Sequence, residues 1–388
     1  MAVIPLALLL VLLAGSAVYC VMAAVAARRY LAVKLPARAA SEPVSILKPL
    51  AGVDEGLEEN LRGFFEQDYP DFELLAAVRL AGDPALAVFR KLQADYPHVP
   101  SRAVVTGEPP YPNAKVYSLA RMMEVAAHDL LVMSDSDIRV TPDMLRRVAA
   151  EFQDPALGLA TCPYRAVPGR SFWSVLEAIG MNTEFLGGVL VARMLEGMRF
   201  ALGPTIVARK RVLRDIGGFN RVKDYLAEDF VMGKFAAEQG HGVALSSYVI
   251  EHRIGSQGFL ANAGHRIRWN RSTRRSRPGG YVGQVFTNPL PIALLLLIFY
   301  PAWWPVAGAM AVLRALAAWA TAGWVLHDPL TARRWYLVPA QDLASFVFWI
   351  LGFFGNTITW RGRRYLLKRD GTFELRGEEK APGAPTSA

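Results

Sequence analysis

The sequence predicts an α/β domain with a mostly parallel sheet, flanked by apolar helices at both ends of the chain. Short apolar runs alternate with helix-forming stretches through the middle of the chain, as in βαβ units. An uncharged apolar run, 3–27, is long enough to span a bilayer, and apolar stretches return at 289–326 and 337–358. Hydrophobic residues make up 53% of the 388 residues, more than a soluble domain of this size needs.

The first segment, 1–28, is interpreted as an N-terminal transmembrane anchor. A cleaved signal peptide is the alternative, but only two residues precede the apolar run and neither is basic. The basic residues follow the run instead, at Arg28, Arg29, Lys34 and Arg38. By the positive-inside rule, the N-terminus is outside and the following domain is in the cytoplasm.

Residues 42–284 are predicted to form the α/β domain. Its strands are expected at 44–47, 72–78, 103–106 and 130–133. Its helices are expected at 56–66, 84–96 and 115–127. Ligands of such sheets bind outside the carboxyl ends of the strands, so the residues that follow each strand are the candidates for a site.

Residues 285–360 are predicted to form C-terminal membrane helices. The stretch 289–326 is too long for one crossing, and two prolines near its middle favour two short crossings with a tight turn. The stretch 337–358 is long enough for a third crossing, but it has arginines on both sides and several polar residues. This pattern favours an interfacial or re-entrant path for this stretch or for the hairpin before it. The remainder, 361–388, is predicted to be a cytoplasmic tail, basic and then disordered.

The net charge of +9 raises nucleic acid as a partner, but the charge is unevenly distributed. Arginines gather beside the apolar segments and between His265 and Arg277, which favours anionic lipid headgroups or a sugar-nucleotide diphosphate. We therefore expect no nucleic-acid partner. The two cysteines, Cys20 and Cys162, cannot form a disulfide framework and are interpreted as small buried residues.

Asp135 and Asp137 are the strongest local signal. They directly follow the buried strand at 130–133, with one serine between them. Two carboxylates at a strand end can hold a divalent ion against a diphosphate, because Mg²⁺ and Mn²⁺ prefer oxygen ligands and share them with substrate phosphates. An acidic turn that closes the strand is the alternative.

Two further acidic sites each allow two interpretations. Glu228 and Asp229 precede a helical stretch, where a carboxylate can accept a proton or cap the helix. Asp83 lies after the second strand and before Pro84, where it can contact a nucleotide or serve as an N-cap.

The basic stretch that contains Arg268 and Trp269 also has two interpretations. A guanidinium beside an aromatic ring can hold a leaving diphosphate. The same stretch fits a solvated basic helix next to a membrane, on whose surface His265 would lie.

The order of these motifs resembles the processive-type family 2 glycosyltransferases and, more closely, the ceramide glucosyltransferases. It is also similar to bacterial hopanoid-associated glycosyltransferases. The order is an aspartate after an early strand, Asp-x-Asp, Glu-Asp, x-x-Arg-Trp and membrane segments. The segments 45–50, 66–70 and 135–139 look like the ceramide subgroup, and the resemblance extends from residue 3 through 360–364.

The resemblance implies a GT-A fold and a role for each motif residue. The residues implied to bind the donor are Asp83, Lys115, Asp135 and Glu228. The residues implied to hold Mg²⁺ or Mn²⁺ are Asp135 and Asp137. The residues implied to be catalytic are Asp229 as general base, Arg268 and Trp269. His265 stands where the family usually has Gln or Arg, which argues against a processive polysaccharide synthase.

The implied activity is inverting, metal-dependent transfer of a hexose from a UDP-sugar donor to the hydroxyl of a membrane lipid, in a bacterial inner (plasma) membrane. A hopanoid-directed N-acetylglucosaminyltransferase is an alternative, and so is a processive polysaccharide synthase, which needs more membrane helices for its channel. A non-catalytic membrane protein that binds a nucleotide sugar is the third. The donor sugar and the lipid acceptor stay open at this point.

Overall fold

The structure, a computed structural model, describes residues 4–33, 42–360 and 362–378. Lys34, Arg38 and the last part of the predicted tail, 379–388, lie outside the described residues. The strands, in chain order, are β1 (Val44–Pro49), β2 (Phe72–Val78), β3 (Ser101–Val105), β4 (Leu130–Ser134), β5 (Ile138–Arg139), β6 (Leu157–Thr161), β7 (Tyr164–Val167), β8 (Thr205–Arg209), β9 (Gly242–Leu245), β10 (Ile250–Arg253), β11 (Thr357–Trp360), β12 (Arg363–Leu367) and β13 (Phe373–Glu378).

The central sheet has seven strands in the order β3-β2-β1-β4-β8-β6-β9. Strands β1 to β4 pair in parallel, whereas β8 runs antiparallel between β4 and β6. The mostly parallel sheet that the alternating pattern predicts is therefore confirmed. The four predicted strands correspond to β1 to β4, with ends that differ by at most two residues.

Helices cover both faces of this sheet and form the two ends of the chain. The α-helices, in chain order, are α1 (Leu6–Leu31), α2 (Leu57–Phe65), α3 (Pro84–Asp95), α4 (Ala114–Val125), α5 (Met144–Glu151), α6 (Phe172–Gly180), α7 (Leu186–Glu196), α8 (Lys210–Asp215), α9 (Gly218–Val222), α10 (Glu228–Glu238), α11 (Phe259–Ser276), α12 (Pro278–Gly283), α13 (Pro289–Phe299), α14 (Trp304–Ala318), α15 (Pro329–Arg333) and α16 (Val338–Gly352). The three predicted helices of the α/β domain correspond to α2, α3 and α4.

Side-chain caps fix where the helices begin at the carboxyl edge of the sheet. Asp83 accepts a hydrogen bond from the Ala85 amide at 2.9 Å, and Pro84 occupies the first helical position of α3. Asn113 accepts a hydrogen bond from the amide of Val116 and so begins α4. A second, three-stranded sheet, β5-β10-β7, lies at the same edge because β5 follows β4 after only three residues.

Within the described part of the chain, three helical stretches are long and apolar enough to cross a membrane: Leu6–Leu31, Phe172–Glu196 and Pro301–Val325. A fourth candidate is the pair Pro278–Thr287 and Pro289–Phe299, which is bent by 56°. The stretch Phe172–Glu196 was not predicted as an apolar helix. Most of it is buried in the molecule, where it packs between α1 and α16.

The C-terminal region differs from its prediction in one respect. Residues 357–360, expected to complete the membrane helices, and residues 362–378, expected to belong mostly to the basic part of the tail, contain the strands of the antiparallel sheet β11-β12-β13. Ile358, Tyr365 and Phe373 form a small apolar core in this sheet, and that burial stabilises strands that a basic composition obscured. The Phe373 amide donates a hydrogen bond to the Asp224 carbonyl at 2.9 Å, so the sheet contacts the loop that precedes α10.

The arginines of the predicted basic stretch lie on α11, and some of them pair with backbone. Arg271 Nε donates a hydrogen bond to the carbonyl of Phe354 at 2.9 Å, and Arg274 donates one to Gly355 at 2.9 Å. These carbonyls follow the end of α16, where a helix has unpaired acceptors and favours positive charge. Part of the positive charge therefore stabilises the end of α16.

Candidate active site

Asp135 and Asp137 lie at the carboxyl edge of the central sheet, on the turn between β4 and β5. The Asp135 amide donates to the Pro204 carbonyl at 3.0 Å, and the Asp137 carbonyl accepts from the Arg253 amide at 2.8 Å. Between them, the Ser136 hydroxyl donates to Asp54 Oδ2 at 2.9 Å. These bonds fix the backbone from three sides, so both carboxylates have defined positions.

Lys115 joins several of the acidic residues that the sequence singled out. Its Nζ lies 2.7 Å from Asp135 Oδ1 and 3.4 Å from Glu228 Oε1, and it donates to the Gly203 carbonyl at 3.3 Å. Asn113 donates to Glu228 Oε2 at 3.3 Å, so the cap of α4 also holds the start of α10. Lys115, Asp135 and Glu228, with Asp229, are called the Lys115 cluster below.

Asp229 lies in the first turn of α10, against the backbone of Gly203. A side chain at position 203 would place its Cβ 2.7 Å from Asp229 Oδ2, so this approach requires glycine. Burial is the main cause that raises the pKa of Asp229 to about 7, and the charge of Glu228 adds to it. A carboxyl group with this pKa can accept a proton near neutral pH.

Asp137 pairs with His252 of β10, which the sequence had not indicated. His252 Nε2 and Asp137 Oδ2 are 3.1 Å apart. The other oxygen, Asp137 Oδ1, is buried and has no hydrogen-bond partner among the described residues. The alternation Ile250–Arg253 marks a strand, but nothing in the sequence places it beside a motif 115 residues earlier.

Burial and neighbouring charges raise the pKa values of Asp135 and Lys115 and lower that of Asp137. Burial raises the pKa of Asp135, and Lys115 offsets only part of that rise. Burial also disfavours ionised Asp137, but the charge and hydrogen bond of His252 outweigh it and lower the Asp137 pKa. For Lys115, burial is outweighed by Asp135 and Glu228, so its pKa is raised. Lys115 is therefore fully protonated, and the site holds a fixed positive charge.

Lys48 is a second buried lysine beside the Asp-Ser-Asp turn. It is the penultimate residue of β1, donates to the Asp135 carbonyl, and its Nζ lies 3.8 Å from the centre of the Phe64 ring. Burial lowers the pKa of Lys48 to about 7, despite the nearby charges of Asp135 and Asp137. The sequence did not indicate Lys48 as a site residue.

Asp83 lies on the same edge of the sheet but takes part in a different set of contacts. Its two oxygens accept from the Gly52 amide at 3.0 and 3.2 Å, besides capping α3. It therefore fixes the loop after β1. Among the described residues, no hydrogen bond or ion pair joins Asp83 to the Lys115 cluster, and its role in donor binding stays a prediction.

Trp269 is connected to the site by a row of aromatic rings. Its ring centre lies 6.0 Å from that of Phe185, Phe185 stacks on Tyr164 at 5.3 Å, and Tyr164 meets His252 edge-on at 5.3 Å. Arg268 is adjacent in the chain, and its guanidinium carbon lies 5.9 Å from the centre of the Trp360 ring. The row thus joins α11 to the residue that pairs with Asp137.

Glu177 of α6 contacts two side chains of α11 and is another residue that the sequence did not indicate. Its oxygens accept from Asn262 Nδ2 at 2.6 Å and pair with His265 Nδ1 at 2.7 Å. The Glu177 side chain is 5% exposed, so both bonds form away from bulk water. His265, whose side chain is 19% exposed, therefore belongs to a partly buried contact between two helices.

The acidic residues fit a divalent cation that shares its coordination with a substrate. Among residues 4–33, 42–360 and 362–378, no three His, Cys, Asp or Glu side chains form a metal site by themselves. Asp135 and Asp137 nevertheless supply hard oxygen ligands, and the buried Asp137 Oδ1 has no hydrogen-bond partner in the described part of the chain. Mg²⁺ and Mn²⁺ are commonly bound by one or two carboxylates together with substrate phosphates.

Comparison with known proteins gives a consistent picture. The model of glycosyl transferase family 21 matches residues 7–373. Ceramide glucosyltransferase 1 of Caenorhabditis elegans is 30% identical over 228 residues, 58% of this chain and 48% of that protein. Ceramide glucosyltransferase 3 of the same organism is 28% identical over 206 residues, 53% of this chain and 45% of that protein. The matched region is thus about half the length of each relative.

A solved structure with the same fold is a mannosyltransferase from Pyrobaculum calidifontis in complex with GDP-Man and Mn²⁺. It superposes with a TM-score of 0.53 at 20% identity and covers 89% of this chain and 98% of its own. At this identity the likeness concerns the fold alone, and it confirms the predicted GT-A architecture.

Proposed function

Because this chain belongs to glycosyl transferase family 21 and is a glycosyltransferase, we propose that it moves a hexose from a UDP-sugar to the hydroxyl of a membrane lipid, with inversion at the sugar. The observation that carries the proposal is the position of Asp229. A carboxyl group with a pKa of about 7 lies beside Lys115 and Asp135, at the edge of the sheet where such folds bind ligands.

The donor site consists of Lys115, Asp135 and Glu228, with Asp83 at the loop after β1. Asp135 and Asp137 would hold Mg²⁺ or Mn²⁺, which supplies positive charge where the diphosphate leaves. The protonated Lys115 adds a fixed charge next to Asp135. His252 keeps Asp137 ionised through its charge and hydrogen bond.

The transfer is a single displacement. The acceptor hydroxyl oxygen forms a bond to the anomeric carbon while the bond from that carbon to the diphosphate oxygen breaks. Asp229 takes the hydroxyl proton, and the electron pair of the broken bond leaves with the diphosphate. Arg268 contributes positive charge near the leaving group. Trp269 positions α11 by packing against Phe185, the next ring in the aromatic row.

The apolar helices and the named relatives support a membrane lipid as the acceptor. Both C. elegans relatives are named ceramide glucosyltransferases, and three helical stretches here are apolar enough to cross a membrane. An amphipathic acceptor presents its hydroxyl at the membrane interface. Arg28 and Arg29 lie in the last turn of α1, and by the positive-inside rule they support a catalytic domain on the cytoplasmic side. We propose a bacterial inner membrane as its location.

A product assay tests the proposal. The full chain in detergent receives labelled UDP-glucose, UDP-galactose or UDP-N-acetylglucosamine, Mn²⁺ or Mg²⁺, and one acceptor from ceramide, diacylglycerol and a hopanoid polyol. We expect a metal-dependent labelled lipid that Asp135→Ala abolishes. A labelled hopanoid from the N-acetylglucosamine donor would identify the alternative transferase. Labelled polymer without labelled lipid would refute the proposal in favour of a synthase.

A further inference from the structure

A groove of about 250 Å³ lies between α1 and the helical stretch Pro301–Val325. Cys20, Ala24 and Arg28 of α1 are four residues apart, so they follow one another along one face of the helix. The small side chains of Cys20 and Ala24 leave a trough, which Leu313 and Leu316 close on the opposite side. The groove runs about 12 Å along α1, from Cys20 to Arg28.

One end of the groove is positively charged and aromatic. Arg28 is the one charged residue among those that line it. Its guanidinium carbon lies 5.8 Å from the centre of the Trp324 ring, and it has no hydrogen-bond partner among the described residues. Trp324 belongs to the π-helical segment Trp319–Val325, a type of segment that often marks functional sites.

We propose that this groove binds an anionic glycerophospholipid, with an acyl chain beside Cys20 and Ala24 and the phosphate on Arg28. The apolar trough fits a hydrocarbon chain, and a guanidinium fits a phosphate through two parallel hydrogen bonds. Arg28 and Trp324 lie near the end of α1, at the depth where headgroups and interfacial tryptophans meet in a bilayer. The site is separate from the Lys115 cluster and goes beyond the proposed transfer.

The neighbouring Arg29 provides a matched control. Both arginines end α1 and are exposed, but Arg29 does not line the groove. Binding of phosphatidylglycerol and phosphatidylcholine is measured by native mass spectrometry of the full chain in neutral detergent. We expect Arg28→Gln to weaken phosphatidylglycerol binding about tenfold and Arg29→Gln by less than about twofold. Phosphatidylcholine also has a phosphate, but its ammonium group neutralises the net charge, so it should bind more weakly than phosphatidylglycerol in the wild type and lose less affinity in Arg28→Gln.

A second variant tests the acyl-chain part of the groove. Ala24→Trp fills the trough and leaves Arg28 in place, so it should prevent the binding of both lipids. Leu316→Trp fills the trough from the other side and replaces Ala24→Trp if that variant has a lowered thermal midpoint. Millimolar inorganic phosphate should not displace phosphatidylglycerol, because the phosphate alone lacks the chain contacts.

Three results would overturn the proposal. Equal losses in Arg28→Gln and Arg29→Gln would mean that anionic lipid is attracted only by diffuse charge. Displacement by inorganic phosphate would mean a free-anion site. Unchanged binding when the trough is filled would place the lipid elsewhere. None of these binding measurements depends on turnover, so their results test the lipid site separately from the proposed reaction.

Discussion

Asp229 is the residue on which the proposed chemistry depends most. Replacing it with Asn keeps its size but removes the group that accepts the proton. We expect Asp229→Asn to lower turnover by roughly 10²–10⁴-fold, with UDP binding by calorimetry close to wild type. Asp224→Asn, an exposed carboxylate in the loop before α10, is the control and should keep full turnover. Near-wild-type turnover of Asp229→Asn with normal donor binding would exclude Asp229 as the base.

The pH dependence of kcat/KM provides a second test of the same residue. A base must be ionised, and the Asp229 pKa is raised to about 7, so kcat/KM should fall below that pH and level off above it. Glu228 raises the Asp229 pKa through its negative charge. Glu228→Gln should therefore move the acidic limb to lower pH. A limb near the ordinary Asp value in wild type, or one that Glu228→Gln leaves in place, would contradict this assignment.

The sequence can indicate a candidate site residue when that residue belongs to a local motif. Asp135 and Asp137 follow a strand, and Glu228 and Asp229 begin a helix, so local patterns were enough to select them as candidates. His252 and Glu177 were not predicted because each pairs with a residue that is distant in the sequence. His252 is 115 residues from Asp137, and Glu177 is 88 residues from His265. Only tertiary packing brings such pairs together.

At the scale of elements, the pairing of α6 with α11 sets the position of Arg268 and Trp269. Glu177→Ala removes both bonds of Glu177 and leaves Asn262 and His265 buried without that partner. We expect kcat to fall about tenfold and stability to fall by about 1–3 kcal/mol, with UDP binding unchanged, because the donor residues lie on other elements. Glu177→Gln, which can still accept a bond, should recover part of kcat.

The control for this variant is Asp95→Asn, an exposed carboxylate at the end of α3, away from α11. It should behave as wild type in both kcat and thermal unfolding. If Glu177→Ala weakens UDP binding as much as it lowers kcat, Glu177 acts on the donor site and not through α11.

A buried ion pair joins two of the C-terminal helices. Arg314 of α14 makes two hydrogen bonds to Asp342 of α16, at 2.8 and 2.7 Å, and a third to Thr183 at 3.1 Å. Arg314→Met should cost about 3–5 kcal/mol because it leaves Asp342 buried and unpaired. Unfolding in detergent measures this cost. Arg314→Met with Asp342→Leu should recover most of the loss, and exposed Arg333→Met should change little.

If the single and double variants unfolded alike, the pair would be contributing through its attraction and not through the burial of a lone charge.

Arg314 and Asp342 also explain the polar residues that made 337–358 unusual for a lipid-facing helix. Asp342 and Gln341 face the protein interior, where they are 0% and 1% exposed. The prediction of an interfacial or re-entrant path for this segment remains a prediction.

Elements with strong local patterns could be predicted, and those defined by pairing could not. β1 to β4 are short apolar runs followed by polar residues, and α3 has a cap and a proline at its start. β8 was not predicted because its antiparallel position between β4 and β6 depends on long-range contacts. β11 to β13 were hidden by their charged residues, since these strands bury only one small apolar cluster.

At the scale of the whole molecule, apolar helices and a nucleotide-binding type of sheet share one core. Tyr30, near the end of α1, donates to the Ser246 carbonyl at 2.6 Å, and α1 packs along α7 and α14. The catalytic edge is thus rigidly connected to the helices that would lie in the membrane. This arrangement suits a reaction between a soluble donor and an acceptor that stays in the bilayer.

The most direct test of the account measures the transfer of label from a UDP-sugar into the lipid phase of vesicles that contain the full chain and ceramide. Wild type should form labelled lipid with Mn²⁺ and stop when the metal is chelated. Asp229→Asn, with matched UDP binding, should form roughly 10²–10⁴-fold less. Label that stays in the aqueous phase with every donor, or lipid labelling that survives both chelation and Asp229→Asn, would contradict the central claim.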